Sequence, residues 1–151
     1  MKTFILLSAL LFVASPYIFE KCELAQLLLR HGLDGYRGYS LANWVCLVEH
    51  ESGYNTRVVG RNRRGGKTVS SDYGIFQISS TRWCRDGQTT RRRNTDDSCG
   101  RSCQDFINEN ITDDIECAKK VVLPQGMNAW YSWKKKCKQS TLTKFLKECD
   151  V

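Results

Sequence analysis

The chain has 151 residues, of which 41% are hydrophobic and 26% charged. That is the make-up of one folded domain, and a domain near this size buries about 68–70% of its unfolded surface. Two prolines and no repeating period exclude collagen-like, proline-rich and solenoid architectures, and a formal charge of +7 favours an anionic partner without choosing among nucleic acid, lipid and acidic polymer.

Met1-Lys2 is followed by an apolar run from Phe4 to Ala14, and small residues stand at Ala14-Ser15. This is the pattern of a secretory signal peptide, assigned to residues 1–16. The run is shorter than the roughly 20 residues a membrane helix needs. Residues 17–151 are then one secreted domain. Export gives meaning to Cys22, Cys46, Cys84, Cys99, Cys103, Cys117, Cys137 and Cys149: an even set in an oxidising compartment implies disulfides throughout. Spacing alone leaves roughly a hundred pairings open. Zinc is disfavoured, because no Cys-x-x-Cys occurs and His31 and His50 lie far along the chain from Cys99 and Cys103. His50-Glu51 opens like a zincin motif, but Tyr54 stands at the second histidine position.

In chain order, residues 22–31 are predicted as a helix with Leu24, Leu27, Leu28 and His31 on one face and Gly32 as the stop. A second helix spans 41–52, with Ser40 as N-cap, a buried stripe of Leu41, Trp44, Val45 and Val48, and Gly53 as the stop. Glu51 therefore sits at a helix exit, while Glu49 points from another face. Val58-Val59, the turn Arg63-Arg64-Gly65-Gly66-Lys67 and the strand Ile75-Phe76-Gln77-Ile78 make a small hairpin region. Residues 82–103 are polar and basic and include Arg91-Arg92-Arg93. Helices follow at 113–122, capped by Thr112 or Asp113, and at 127–137, carrying Trp130 and Trp133. A short terminal helix holds Leu142, Phe145 and Leu146. Helices, hairpin, then helices is an α+β order.

Five runs together carry a family resemblance. They are Arg30 to Cys46 (RHGLDGYRGYSLANWVC), Glu51-Ser52-Gly53-Tyr54-Asn55-Thr56, Asp72-Tyr73-Gly74-Ile75-Phe76-Gln77-Ile78, Cys117-Ala118-Lys119-Lys120 and Gly126-Met127-Asn128-Ala129-Trp130. With the order of the cysteines, these make Cys22–Cys149 resemble the chicken-type (C-type) lysozyme and α-lactalbumin family. The resemblance implies a lysozyme-like α+β fold, in which a helical domain and a small β-hairpin domain face each other across a cleft. It implies the pairs Cys22–Cys149, Cys46–Cys137, Cys84–Cys103 and Cys99–Cys117.

It also implies two roles. Glycoside hydrolysis needs one protonated and one ionised carboxyl. Glu51 and Asp72 match the family's catalytic positions; lysozyme is itself the standard example of this chemistry, so the roles travel with the resemblance. An apolar wall at Trp130 is expected to raise the Glu51 pKa, and polar neighbours such as Asn62 to keep Asp72 ionised. Trp83 and Trp130 are expected to stack on sugar, and Gln77, Ser79 and Ala129 to line the cleft. Trp44 and Trp133 are expected in the core.

Several positions depart from the family pattern. Arg82 replaces an aromatic residue common before Trp83 and offers a group for an acidic substrate. Ser79 stands where asparagine is usual, and Leu123-Pro124-Gln125 lacks a common aspartate. The hairpin around Arg63–Ser71 and the Cys84–Cys99 loop are longer than usual. These changes touch substrate grip.

The stretch Asp105 to Asp114 resembles the calcium loop of α-lactalbumin and calcium-binding lysozymes. Calcium takes about six to eight oxygens. Asp113 and Asp114 match two carboxylate ligands, the carbonyls of Asp105 and Asn110 match two more, and Asn108 stands where a third carboxylate is expected. The competing account is an acidic helix start that favours the dipole. Asn110-Ile111-Thr112 is also a glycosylation sequon. No cofactor is required for hydrolysis, so a structural Ca2+ is the one candidate.

Three functions are weighed. The first is a secreted, monomeric muramidase that cuts β-1,4 bonds between N-acetylmuramic acid and N-acetylglucosamine in bacterial peptidoglycan, its charge suiting an anionic bacterial surface. The second is a non-hydrolytic glycan- or protein-binding module of the α-lactalbumin kind, against which the presence of both carboxylates argues. The third is a cationic membrane-active antimicrobial using Arg61, Arg63, Arg64, Lys67 and Arg91–Arg93. No nucleic-acid recognition motif is present.

Overall fold

A computed structural model describes residues 17–89 and 97–151. The signal segment and Arg91-Arg92-Arg93 lie outside the described residues. Helix α1 spans Lys21–Arg30 and α2 Leu41–Ser52. Strands β1 (Val59–Arg64), β2 (Lys67–Tyr73) and β3 (Ile78–Ser79) form an antiparallel sheet in that order. Short strands β4 (Cys84–Arg85) and β5 (Arg101–Ser102) pair in parallel. Helices α3 (Thr112–Gln125) and α4 (Tyr131–Lys136) follow.

The first two helices lie where apolar periodicity and glycine stops put them. Leu24, Ala25 and Leu28 of α1 are buried, and α2 buries Leu41, Trp44, Val45 and Val48 together with Ala42, Cys46 and Leu47. α2 is therefore covered on more than one face and forms the centre of the helical domain. Trp44 sits among Phe76 and Trp130, each 6.3 Å away between ring centroids and edge-on. Truncating a side chain buried like Leu47 leaves a cavity that costs about 2–5 kcal/mol. Ser40 is the N-cap residue of α2, as expected, but its side chain makes no capping bond. Its Oγ accepts from Asn43 Nδ2, and the Leu41 N–H donates instead to Asp34 Oδ1 at 2.9 Å.

The hairpin turns at Gly65-Gly66, both at positive φ (57° and 75°), as the two-residue turn that matches strand twist demands. The predicted strand 75–78 is also corrected: only Ile78–Ser79 pairs with β2. Gly74 (φ 75°) and Gln77 (φ 50°) fold the intervening residues into turns. At Gly74 a Cβ would stand 1.9 Å from the Phe106 carbonyl oxygen, so only glycine fits.

The later helices differ more from the expectation. α3 is not capped by the Thr112 or Asp113 side chain from outside; the Thr112 N–H donates to Asn110 Oδ1 at 3.1 Å. It also runs past residue 122 to Gln125, with Pro124 in its last turn. The helix predicted over 127–137 is broken. Gly126–Ala129 is a 3₁₀ turn, Trp130 is extended (φ −103°, ψ 117°), and α4 begins after it. This departure lets the Trp130 indole N–H reach the Phe76 carbonyl at 2.8 Å. The terminal helix is one 3₁₀ turn, Leu142–Phe145.

The disulfides are Cys22–Cys149, Cys46–Cys137, Cys84–Cys103 and Cys99–Cys117. The first two tie α1 and α2 to the C-terminal segment, and the others tie down the loops between the sheet and α3. Each contributes about 2–4 kcal/mol, mainly by restricting the unfolded chain.

Candidate functional site

A cleft of about 440 Å³ separates the end of α2 and the sheet from the segment that joins α3 to α4. That volume lies within the range of small-molecule sites. Glu51 and Asp72 both line it, with Gln77, Ser79, Arg82, Trp83, Ala129 and Trp130.

Glu51 reaches the cleft because α2 ends directly after it. Gly53 takes φ 57°, and its N–H returns to the Glu49 carbonyl at 2.9 Å. Asp72 is placed by the sheet. It pairs with Gly60 on one side and Ser79 on the other, so it lies on the middle strand with neighbours from both edges. Asn62 Nδ2 donates to Asp72 Oδ2 at 3.1 Å and to Ser70 Oγ at 3.0 Å. Asn62 is exposed beside the cleft and holds Asp72, the polar neighbour expected there. Glu49 is exposed, as its helical phase requires.

Both carboxyls are pushed above their ordinary values. For Glu51 burial is the main cause and the nearby Asp72 charge adds to it, while a hydrogen bond from Ser132 opposes them. For Asp72 burial is again the main cause, and donors on Asn62 and Ser79 oppose it. The asymmetry expected from the sequence is therefore not one of opposite shifts. It lies in starting values of 4.5 for Glu51 and 3.8 for Asp72, in two opposing donors against one, and in the Asp72 charge acting on Glu51.

The aromatic residues divide their work. Trp130 is only 5% exposed and packs edge-on to Trp44, so it is a wall of the cleft and not a stacking platform. Trp44 and Trp133 are core, as expected. Trp83 is half-buried, and the Arg82 guanidinium carbon lies 4.9 Å from its ring centroid. Gln77 lines the cleft, but its Nε2 is committed to the carbonyls of Val58 (3.0 Å) and Gly74 (2.9 Å). It works as a staple between β1 and the following turn.

Gln125, from the segment that departs from the family pattern, lines the cleft, as do Ser132, Thr81 and Tyr131, which were not singled out in the sequence. Ser132 had no signal. A lone serine two residues after Trp130 is indistinguishable from the solvated face of the longer helix predicted there.

In the first turn of α3, Asp114 is fully buried and neither carboxylate oxygen has a hydrogen-bond partner. Burial, then the adjacent Asp113, pushes it up to about 10. Asp113 and Asp105 lie 3.9 and 3.7 Å from the Arg101 guanidinium. Asn108 Nδ2 donates to the Asp105 carbonyl at 3.1 Å, and Asn110 is exposed. The orphaned Asp114 oxygens beside a second carboxylate fit a bound cation. Arg101 is the protein's own competing charge.

A family model described as "C-type lysozyme/alpha-lactalbumin family" matches residues 17–149. "Lysozyme C-1" of Mus musculus is 46% identical over 154 residues, covering 100% of both chains. "Lysozyme C, intestinal isozyme" of Bos taurus is 50% identical over 133 residues, covering 88% of this chain and 86% of its own. The crystal structure of recombinant wild-type canine milk lysozyme (apo-type) matches with a TM-score of 0.80 at 46% identity, covering 89% of this chain and 100% of that one.

Proposed function

Because the chain belongs to the C-type lysozyme/alpha-lactalbumin family, we propose that it is a secreted, monomeric muramidase that hydrolyses the β-1,4 bonds of bacterial peptidoglycan and so acts against bacteria. One observation carries the reading: two half-buried carboxyls, Glu51 and Asp72, line the same cleft in unequal surroundings.

In this reading Asp72, with the lower ordinary value and two opposing donors, is the ionised partner. Its charge and the burial of Glu51 then keep the second proton on Glu51. Glu51 gives that proton to the leaving glycosidic oxygen as the bond to the anomeric carbon breaks. The Asp72 carboxylate faces the positive charge that develops on the sugar, or bonds to the anomeric carbon. Water then attacks that carbon from the face the leaving group vacated, giving its proton to Glu51 while any bond to Asp72 breaks and the carboxylate is released, so the configuration is retained. Trp130 supplies the apolar wall, and Ser79 and the Ala129 segment the polar and backbone edges. Arg82 and the net positive charge draw the enzyme to an anionic wall.

The test is clearing of a bacterial cell-wall suspension by the disulfide-bonded protein beside Glu51→Gln. Clearing by the wild type alone supports the reading, and no clearing by a folded wild type ends it. A second reading rests on the exposed hairpin charges Arg61, Arg63, Arg64 and Lys67. Bacterial killing that survives Glu51→Gln would favour a membrane-active protein.

The reading includes a structural Ca2+. Asp113 and Asp114 would hold it through carboxylates, and Asp105 and Asn110 through carbonyls, with Asn108 beside them. When bound it would order the loop before α3 and supply no chemistry to hydrolysis.

A further inference from the structure

Glu51 has one hydrogen-bond partner among the described residues, and it comes from the other wall of the cleft. Ser132 Oγ donates to Glu51 Oε1 across 81 positions of sequence. Ser132 is half-buried in the first turn of α4. The residues around it are anchored. Trp130 Nε1 donates to the Phe76 carbonyl at 2.8 Å, Trp133 Nε1 donates to Asn43 Oδ1 at 3.1 Å, and Cys137 just beyond α4 is bonded to Cys46 of α2. Two indole hydrogen bonds and a disulfide thus fix the hydroxyl against the carboxyl.

A hydroxyl acts differently from the other influences on Glu51. Burial and the Asp72 charge disfavour the anion, whereas an O–H donor favours it, and more strongly than it favours the neutral acid. The charged and titratable groups facing the cleft are Asp72 from β2, Arg82 from the turn after β3 and Tyr131 from α4, whose ring carries Lys135 Nζ at 5.1 Å. On α2 itself, Glu49 and His50 are exposed. Of these, Asp72 is the one whose charge acts appreciably on Glu51. Ser132 is the counterweight.

We propose that Ser132 is a positioning residue for the general acid: by holding Oε1 it leaves Oε2 to carry the catalytic proton, and it sets the upper limit of the pH range in which the enzyme works. The inference rests on the reading of Glu51 as that acid. It assigns no contact between Ser132 and substrate.

The experiment compares wild type, Ser132→Ala and Ser132→Thr in two measurements. One is the carbon-13 NMR titration of the Glu51 carboxyl, which needs no activity. The other is the rate of cell-wall clearing against pH. Removing the hydroxyl moves the Glu51 midpoint and the alkaline limb of the rate upward together, and threonine restores both. A midpoint unmoved in Ser132→Ala overturns the proposal, as does a midpoint that moves while the alkaline limb stays. A wild type that clears nothing overturns the muramidase reading, and the NMR midpoints alone then decide whether Ser132 governs the Glu51 proton.

Discussion

Arg82 lies over Trp83, its guanidinium carbon 4.9 Å from the ring centroid, and among the described residues it has no carboxylate partner. A cation thus rests on the ring expected to meet sugar, at a contact worth about 0.5–1 kcal/mol in an exposed setting. Arg82→Ala should free the Trp83 face and remove a cleft charge. Binding of an uncharged chitin oligosaccharide, followed by Trp fluorescence, should hold or strengthen. The KM for anionic cell wall should rise and become less sensitive to salt, since charge attraction is what salt screens.

Glu51→Gln should cost roughly 10²–10⁴-fold in clearing rate, the range for loss of a general acid. It should also raise the melting temperature at pH 7. The folded protein holds the Glu51 proton more tightly than the unfolded chain, because burial raises its pKa above 4.5. Stability is therefore lost as pH rises from the unfolded value through the folded one, and the loss is complete above both. Glutamine keeps an oxygen for Ser132 and removes the charge. The gain in melting temperature should vanish at pH below the unfolded value.

Asp72→Asn removes the charge that helps hold the Glu51 proton. The Glu51 midpoint read by carbon-13 NMR should fall, opposite to its rise in Ser132→Ala. Clearing should drop sharply, because the developing positive charge loses its counter-ion. A Glu51 midpoint that does not fall would show that the two carboxyls do not sense each other.

Gly74→Ala should be among the most damaging single-methyl changes in the chain. Its φ of 75° disfavours a side chain, and the new Cβ would meet the Phe106 carbonyl at 1.9 Å. A destabilisation of at least about 2 kcal/mol is expected, measured by denaturant unfolding. The nearby Gly60→Ala should cost less, because there the clash at 2.8 Å is with the Gln77 side chain.

Calcium should raise the melting temperature of the wild type, and a chelator should reverse the rise. Asp114→Asn should abolish the effect, because it removes one of the two carboxylates beside the loop. Equal melting curves with calcium and with chelator would end the assignment.

Much of the fold was legible because its signals are local. The apolar spacing of Leu41, Trp44, Val45 and Val48 and the stop at Gly53 delimit α2, and with it the place of Glu51. Gly65-Gly66 marks the hairpin turn, since two consecutive positive φ values are easy only for glycine. The eight cysteines pair as the family resemblance implies. The N-cap position of α2 was legible at Ser40, whereas the side-chain acceptors at both helix starts, Asp34 and Asn110, lie outside the cap positions and were not.

The sequence by itself thus determined α1, α2 and the hairpin turn, because each follows from spacing or from motifs a few residues long, and the family resemblance pointed to the two carboxyls that share the cleft. Tertiary structure decided the break at Trp130, the staple made by Gln77, the cover of Arg82 on Trp83 and the bond from Ser132 to Glu51. The indole of Trp130 outcompetes helix continuation only because Phe76, 54 positions away, presents a carbonyl to it. Ser132 meets Glu51 only because the same anchor turns α4 toward the end of α2. Such choices depend on partners distant in the chain, and no local propensity carries them.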